Sequence, residues 1–154
     1  MVDPFGDIYL DGEHLGRDRD VSRETPLGRH ALRIEREGFV PVETTLDLKA
    51  GDGPKVLRYR LKPKPALLKV AASTPRAVLS LDGRLIGPVG PGGREVPIPF
   101  PRNPSGGYLL ESTQVLRLEA EGYRPYERRI RFLPGRVETV RVDLEPLPVE
   151  REAP

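Results

Sequence analysis

The two histidines are the first candidates for chemistry in this chain of 154 residues, because it contains no cysteine. A zinc site needs three or four converging ligands. His14 and His30 would therefore need carboxylate oxygens from Asp11 or Glu13. That ligand set is short for a metal site, so the sequence favours surface histidines beside a turn. It predicts no metal ion and no cofactor.

Nucleophilic catalysis has no matching motif in the sequence. The serines fall in turns or alternating strands, and no Gly-x-Ser-x-Gly elbow occurs. The segment 90–93 is glycine-rich, but its proline interrupts it, unlike a loop that cradles phosphate at the start of a helix. The absence of cysteine excludes thiolate chemistry and disulfide bonds. The sequence therefore predicts a protein that is not an enzyme.

The residues best suited to binding are arginines and a tyrosine in two turn-rich segments. They form the candidate interaction surface, which comprises Arg17, Arg19, Arg23, Arg94, Arg102 and Tyr108. The first three lie in the segment 17–24, and the other three lie in the Pro/Gly-rich segment 88–108. Binding residues concentrate in loops carried by a rigid scaffold. A protein partner or a polymer partner is therefore expected here.

A nucleic-acid partner is not predicted. The chain carries 25 Lys and Arg residues against 23 Asp and Glu residues, and this net charge of +2 gives little attraction for a polyanion. The densest basic stretch spans residues 124–141. Strand alternation there turns Arg129 and Arg131 outward and Tyr126 inward. The interleaving of basic and aromatic side chains that base stacking requires is therefore missing.

The elements that must position these residues are encoded twice. Residues 32–42 and 116–126 share the pattern apolar-Arg-apolar-Glu-x-Glu-Gly-aromatic-x-Pro and lie 84 positions apart. Earlier landmarks of the two copies lie 71 positions apart, so the second copy has 13 additional residues, which the sequence places in the segment 88–108. Repetition on this scale predicts two small modules rather than one larger domain.

Each copy contains an Asp-Gly pair between short apolar segments, which predicts a type I′ hairpin with positive φ at both central residues. A later glycine and proline predict a tight corner between two strands. The aspartates are interpreted as turn formers rather than as acids or bases. The predicted structural turn residues are Asp11, Gly12, Gly38, Pro41, Asp82, Gly83, Gly122 and Pro125.

Alternating apolar residues predict strands along most of the chain, among them 42–48, 56–61 and 126–132, with Val42, Leu46 and Leu48 in one core. The predicted fold is all-β, with two tandem small antiparallel β-sandwich repeats. The first module spans residues 1–63, the second spans 64–148 with the insertion 88–108, and a frayed tail spans 149–154. The strand 68–72 of the second copy has no twin, so the first module lacks its first strand. An uncovered edge left there would allow pairing with another chain.

The chain resembles a tandem of PEGA domains. The likeness is carried in the first copy by residues 9–16, 25–34, 37–41 and 61–63, and in the second by 66–70, 73–75, 81–83, 122–125 and 144–146. The resemblance implies transthyretin-like β-sandwich modules without catalytic residues. It also implies an extracytoplasmic setting, in the periplasm or on the cell surface of bacteria or archaea, often as repeats attached to kinases, transporters or surface-layer proteins.

Two functions are compatible with these patterns. The first is a non-catalytic structural spacer or protein-interaction module of the cell envelope. The alternative is an envelope polysaccharide-binding module that uses Tyr108 with Arg94 and Arg102. The N-terminal residues Met1–Pro4 have neither the basic region nor the apolar region of a signal peptide, and no apolar run approaches the ~20 residues of a membrane span. The sequence therefore predicts neither element within this chain.

Overall fold

The computed structural model describes residues 2–148, and for Asp3 it describes the backbone alone. Within that range the chain forms strands and no α-helix, which confirms the predicted all-β class. The predicted tail, 149–154, lies outside the described residues. The strands are β1 (Val2–Asp3), β2 (Gly6–Leu10), β3 (Glu13–Asp18), β4 (Gly28–Glu35), β5 (Val42–Leu48), β6 (Tyr59–Arg60), β7 (Ala66–Ala72), β8 (Ala77–Leu81), β9 (Arg84–Val89), β10 (Arg94–Ile98), β11 (Ser112–Glu119), β12 (Tyr126–Phe132) and β13 (Val137–Val142).

The described residues fall into two compact units. The first unit contains the residues up to Lys64 together with Phe100–Leu110. The second unit contains Pro65–Pro99 together with the described residues from Glu111 onward. The sequence analysis assigns the whole segment 88–108 to the second module. The structure divides this segment, because the chain leaves the second unit after Pro99 and returns to it at Glu111.

The first unit has a four-stranded antiparallel sheet in the order β3-β2-β4-β5 and a small parallel sheet formed by β1 and β6. In the small sheet Val2 pairs with Tyr59. Burial of apolar side chains from both sheets is the main favourable contribution to folding in such a unit. The buried core consists of Val2, Ile8, Leu32, Ile34, Phe39 and Leu61.

The second unit has a four-stranded antiparallel sheet in the order β12-β11-β8-β9 and a three-stranded sheet in the order β10-β7-β13. Strand β7 lies in the middle of the smaller sheet, antiparallel to β10 and parallel to β13. Its alternate residues Ala66, Leu68, Val70 and Ala72 are 0–1% exposed. This strand therefore closes one side of the core.

The Gly-aromatic corner of each copy is hydrogen-bonded to the end of the same copy. In the first unit the Val40 N–H donates to the Lys62 carbonyl at 2.8 Å, and the Lys64 N–H donates to the Gly38 carbonyl at 2.9 Å. The corresponding bonds of the second unit are 2.8 and 2.9 Å long. Gly38 and Gly122 have φ values of 84° and 83°, a region that favours glycine.

A segment of the first unit is the counterpart of strand β10. Residues 23–27 and 94–98 share the pattern Arg-Glu-x-Pro-apolar and lie 71 positions apart. The backbone supports this correspondence, because the Val2 N–H donates to the Arg19 carbonyl at 2.6 Å and the Ala72 N–H donates to the Gly90 carbonyl at 3.2 Å. The counterparts of Gly28 onward lie 84 positions away. The 13 additional residues of the second copy are therefore 99–111, almost the same stretch that joins the first unit.

Equivalent core positions are less buried in the first unit than in the second. Leu10 is half-buried, whereas its counterpart Leu81 is 1% exposed. Leu27 is 64% exposed, whereas its counterpart Ile98 is 1% exposed. The smaller sheet of the first unit covers less of the core than the three-stranded sheet of the second unit does.

The same difference explains two departures from the sequence analysis. Val42, Leu46 and Leu48 lie on one face of β5, as the alternation predicts, but they are only half-buried. The strand predicted for residues 56–61 is reduced to Tyr59–Arg60. A strand is maintained by hydrogen bonds to a neighbour, and β1 offers β6 only two described residues.

Candidate interaction surface

The arginines predicted for binding in the first segment take part in contacts within the hairpin β2–β3. The guanidinium of Arg17 donates to both carboxylate oxygens of Asp7, with Nη2 lying 3.0 Å from Oδ2. His14 Nε2 lies 3.0 Å from Asp7 Oδ1. The hydrogen bond from Arg17, and secondarily that from His14, lowers the pKa of Asp7. Arg17 remains exposed at the hairpin surface.

Arg19 and Arg23 follow β3 and border an apolar groove. The Arg19 carbonyl accepts the hydrogen bond from Val2, which fixes the backbone at this edge. The Arg23 guanidinium forms an ion pair with Glu13 at 2.9 Å. Exposed pairs of this kind contribute about 0–1 kcal/mol, so the charge of Arg23 can be exchanged for another partner at little cost.

Arg102 and Tyr108 lie in the segment 100–110 of the first unit. The two residues form an isolated backbone bridge, and the Arg102 guanidinium carbon lies 5.2 Å from the centre of the Tyr108 ring. The Arg60 side chain donates to the Gly106 carbonyl at 2.5 Å, and Leu110 packs against the core. The insertion is therefore folded onto the unit rather than extended into solvent.

Arg94 lies in the second unit, on β10. Its guanidinium donates to the Pro88 carbonyl at 3.3 Å and packs across Gly87, where a Cβ atom would lie 2.7 Å from Nη1. The six candidate residues thus occupy three different places. The polysaccharide alternative requires an open aromatic platform at Tyr108, but this ring is half-buried and carries Arg102 over its face. The geometry does not favour that alternative.

Charged residues on the larger sheets pair across strands. Arg33 lies 3.2 Å from Glu43 on the neighbouring strand, and the counterpart Arg117 lies 2.5 Å from Glu127. Arg131 of the basic stretch lies 2.8 Å from Glu111. These pairs are typical of solvated sheet faces.

The Asp-Gly turn residues have a second role besides the turn. Asp11 and Asp82 have φ values of 49° and 47°, and the glycines that follow them have φ values of 81° and 76°. The Asp11 carboxylate accepts the Ala31 N–H at 2.8 Å, and the Asp82 carboxylate accepts the Val115 N–H at 2.7 Å. Each aspartate therefore ties its hairpin to the neighbouring strand. The corner prolines Pro41 and Pro125 directly precede β5 and β12.

The substitution Asp82→Ala is expected to lower the free energy of unfolding by about 2 kcal/mol. Alanine would lose the bond to Val115, worth about 1 kcal/mol, and would occupy the left-handed region at a cost of about 1 kcal/mol. Asp82→Asn is the matched control, because asparagine keeps the accepting oxygen and tolerates positive φ. Urea unfolding of both variants measures the difference. Equal losses would contradict the assigned role of the side-chain oxygen.

His30 is held by two acceptors. Its Nδ1 lies 2.6 Å from Asp11 Oδ2, and its Nε2 lies 2.7 Å from the Pro26 carbonyl. Both ring nitrogens donate only when the imidazole is protonated. The bond to Asp11, followed by the bond to Pro26, raises the pKa of His30. The pKa of Asp11 is lowered, chiefly by the bond from His30.

We expect His30 to titrate above its ordinary pKa of 6.5 in an NMR titration of the folded chain. Because folding raises this pKa, the stabilisation from His30 is fully present below pH 6.5 and is lost as the pH rises through the folded value. The contribution of Asp11 is lost as the pH falls below 3.8. Asp11→Asn should move the His30 midpoint back toward 6.5. An unchanged midpoint in that variant would contradict the assigned cause.

The structure also shows residues that the sequence analysis did not select. A groove of about 710 Å³ crosses the inner face of the first unit; we refer to it as the strand groove. The only feature of the sequence that indicated this groove was the strand that the first copy lacks. Its apolar lining consists of Val2, Ile8, Leu10, Leu15, Val21, Leu27, Leu32, Ile34, Leu46, Leu48, Leu57 and Tyr59.

Arg36 is a second residue of interest that was not selected from the sequence. Its guanidinium carbon lies 4.1 Å from the Phe5 ring centre and 4.8 Å from the Phe39 ring centre. Burial lowers the pKa of Arg36, and the nearby charge of Arg17 adds to this effect. The contact stabilises the corner by cation–π attraction.

These features define an all-β protein built from two units, each with a pair of sheets. Within residues 2–148, no group of three or more His, Asp or Glu side chains is arranged to hold a metal ion. The family model described as PEGA domain matches residues 4–64, and this part of the chain is a PEGA domain. PEGA domains are generally found in extracytoplasmic proteins. Searches of curated proteins and of solved structures gave no match. None of the described residues belongs to a helix able to cross a membrane.

Proposed function

We propose that this chain is a non-catalytic module of the cell envelope that binds another protein through its first unit. In the simpler version of this role, the chain acts only as a structural spacer and binds no partner. The observation that carries the proposal is the strand groove, where Leu10, Leu46 and Leu48 are half-buried and Leu27 is exposed. Exposed apolar surface in a groove rimmed by polar residues is typical of protein-interaction sites.

The PEGA match supports the envelope setting, because domains of this family are generally extracytoplasmic. The hairpin arginines and the segment 100–110 offer further contact surfaces on the first unit. Arg17 and Arg102 remain exposed there. Rim charges of this kind act mainly on association rates and on the choice of partner.

The proposal is tested by crosslinking and capture from the envelope fraction of cells that express the tagged chain. A partner that is enriched with the native chain and lost with Leu27→Asp supports an interaction role. Leu85→Asp is the matched control, because Leu85 is 70% exposed and belongs to the second unit. Recovery of the chain from the cytoplasm alone would contradict the envelope setting. If the native chain captured nothing beyond what the control captures, the binding role would be contradicted and only the role of structural spacer would remain.

A further inference from the structure

The strand groove lies where the second unit has strand β7. In the second unit this strand fills the space between β10 and β13 and buries four alternate side chains. In the first unit the counterpart of β10 is the segment 23–27, and the counterpart of β13 is the segment 54–59. Both segments line the groove. The groove is therefore bordered on both sides by the segments between which a β-strand lies in the second unit.

The backbone register places the short strand β1 at one end of that site. Val2 pairs in parallel with Tyr59, as Ala72 pairs in parallel with Val142. The Val2 N–H also bonds to the Arg19 carbonyl, which is the counterpart of the bond from Ala72. Val2 thus occupies the position of Ala72. The positions of residues 66–70 have no counterpart in the first unit among the residues that the structure describes.

The floor of the groove is apolar at the positions that β7 covers in the second unit. Leu81, the counterpart of Leu10, is 1% exposed beneath the three-stranded sheet, and Leu10 itself is half-buried. In the segment 23–27, Leu27 is exposed, whereas its counterpart Ile98 in the second unit is buried. Burial of apolar area is the main favourable contribution to association of this kind. An added strand with apolar residues at alternate positions would restore this burial.

Charged side chains of both signs line the groove. Backbone hydrogen bonds supply affinity in strand addition, and the side chains supply specificity. In the second unit the outward residue Lys69 lies 3.8 Å from Glu95 on β10, and the counterpart of Glu95 is Glu24, so a basic or neutral outward residue would complement this side of the groove. The charged lining residues are Arg19, Arg23, Lys49 and Lys55 against Glu24 and Asp52.

We propose that the strand groove binds an extended segment of a partner protein as an added β-strand. This segment runs parallel to residues 54–59 and antiparallel to residues 23–27. Small or branched apolar side chains occupy its inward positions, and a basic or neutral side chain occupies the outward position that faces Glu24. The inference rests on the proposed function and names the kind of segment that the interaction module recognises.

The probe is a synthetic peptide with the sequence of residues 66–70 of this chain, the part of β7 that fills the equivalent positions of the second unit. Added to the full chain, it is expected to slow amide hydrogen exchange at least tenfold in residues 23–25, 27 and 55–58, which carry backbone amide hydrogens. A peptide with Leu68→Asp and Val70→Asp should bind at least tenfold more weakly, because both inward side chains would become charged. A peptide with Lys69→Glu should bind about threefold more weakly, because Lys69 pairs with Glu95 in the second unit and would face its counterpart Glu24 in the groove.

The chain offers a matched pair of variants for the same titration. Leu27→Asp changes an exposed groove residue and is expected to weaken peptide binding about tenfold, whereas Leu85→Asp should leave binding unchanged. Circular dichroism of both variants verifies the fold. Absence of protection by every peptide, or an equal effect of the two substitutions, would overturn the inference. Capture of an envelope partner without peptide protection would overturn the inference and leave the proposed function standing. A concentration-dependent dimer abolished by Leu27→Asp would assign the groove to a second copy and overturn the partner segment.

Discussion

Leu81→Ala is expected to lower the free energy of unfolding of the second unit by about 2–5 kcal/mol, the range for a leucine removed from a closed core. Leu81 is 1% exposed at the end of β8, directly before the Asp-Gly turn. The larger sheet and the three-stranded sheet enclose it. Little relaxation is therefore available to fill the cavity. Native-state hydrogen exchange in β8 and β11, followed across a urea series, measures the loss for this unit alone.

Leu10→Ala is the matched control, because Leu10 precedes the Asp-Gly turn of the first unit in the same way. Its side chain is half-buried and borders the strand groove. The expected loss is about 1 kcal/mol, since less apolar area leaves water on folding. Exchange in β2 and β4 measures it. Equal losses in the two variants would mean that the first core is as closed as the second, which would contradict the open groove.

Gly106→Val is expected to cost about 2–3 kcal/mol and to release part of the segment 100–110 from the first unit. Gly106 has a φ of +90°, and a Cβ atom there would lie 2.6 Å from Arg60 Nη1. The positive φ costs a side-chain-bearing residue about 1–2 kcal/mol. Displacement of the Arg60 guanidinium from the Gly106 carbonyl adds about 1 kcal/mol. Faster amide exchange at Gly106 and Asn103, which donate the hydrogen bonds of this loop, reports the release.

Gly53→Val separates the cost of the positive φ from the cost of displacing the Arg60 side chain. Gly53 belongs to the same unit and has a φ of +66°, but a Cβ atom there would meet nothing within 4 Å. This variant should show the backbone cost alone and leave exchange in the segment 100–110 unchanged. If Gly53→Val released that segment as strongly as Gly106→Val, the contact with Arg60 would not hold the segment.

The strands and turns were largely predictable from the sequence, because both depend on near neighbours. The alternation in residues 42–48 and 126–132 predicted β5 and β12 with their observed bounds. The register of the small sheets could not be derived in this way. It depends on pairing between residues far apart in sequence, as between Val2 and Tyr59 or between Ala72 and Val142.

The positions of the candidate binding residues in the fold could be predicted only in part. The sequence analysis grouped Arg94 with Arg102 and Tyr108 because they share one Pro/Gly-rich segment. The structure separates them, since this segment continues as β10 and then passes into the first unit. The shared Arg-Glu-x-Pro-apolar pattern of residues 23–27 and 94–98 could have located the 13 additional residues correctly. That pattern is only five residues long, and the structure was needed to show that the two segments are equivalent.

The sequence by itself determined the all-β class, the Asp-Gly hairpins, the Gly-aromatic corners and the repetition of these elements. These features follow from φ preferences and side-chain alternation, which act over a few residues. Only the tertiary structure decided that residues 100–110 belong to the first unit and which side chains line the groove at the strand position that the first copy lacks. Core closure depends on whether a distant segment supplies the neighbouring strand, and that is decided by the pairing of the folded chain rather than by local preference.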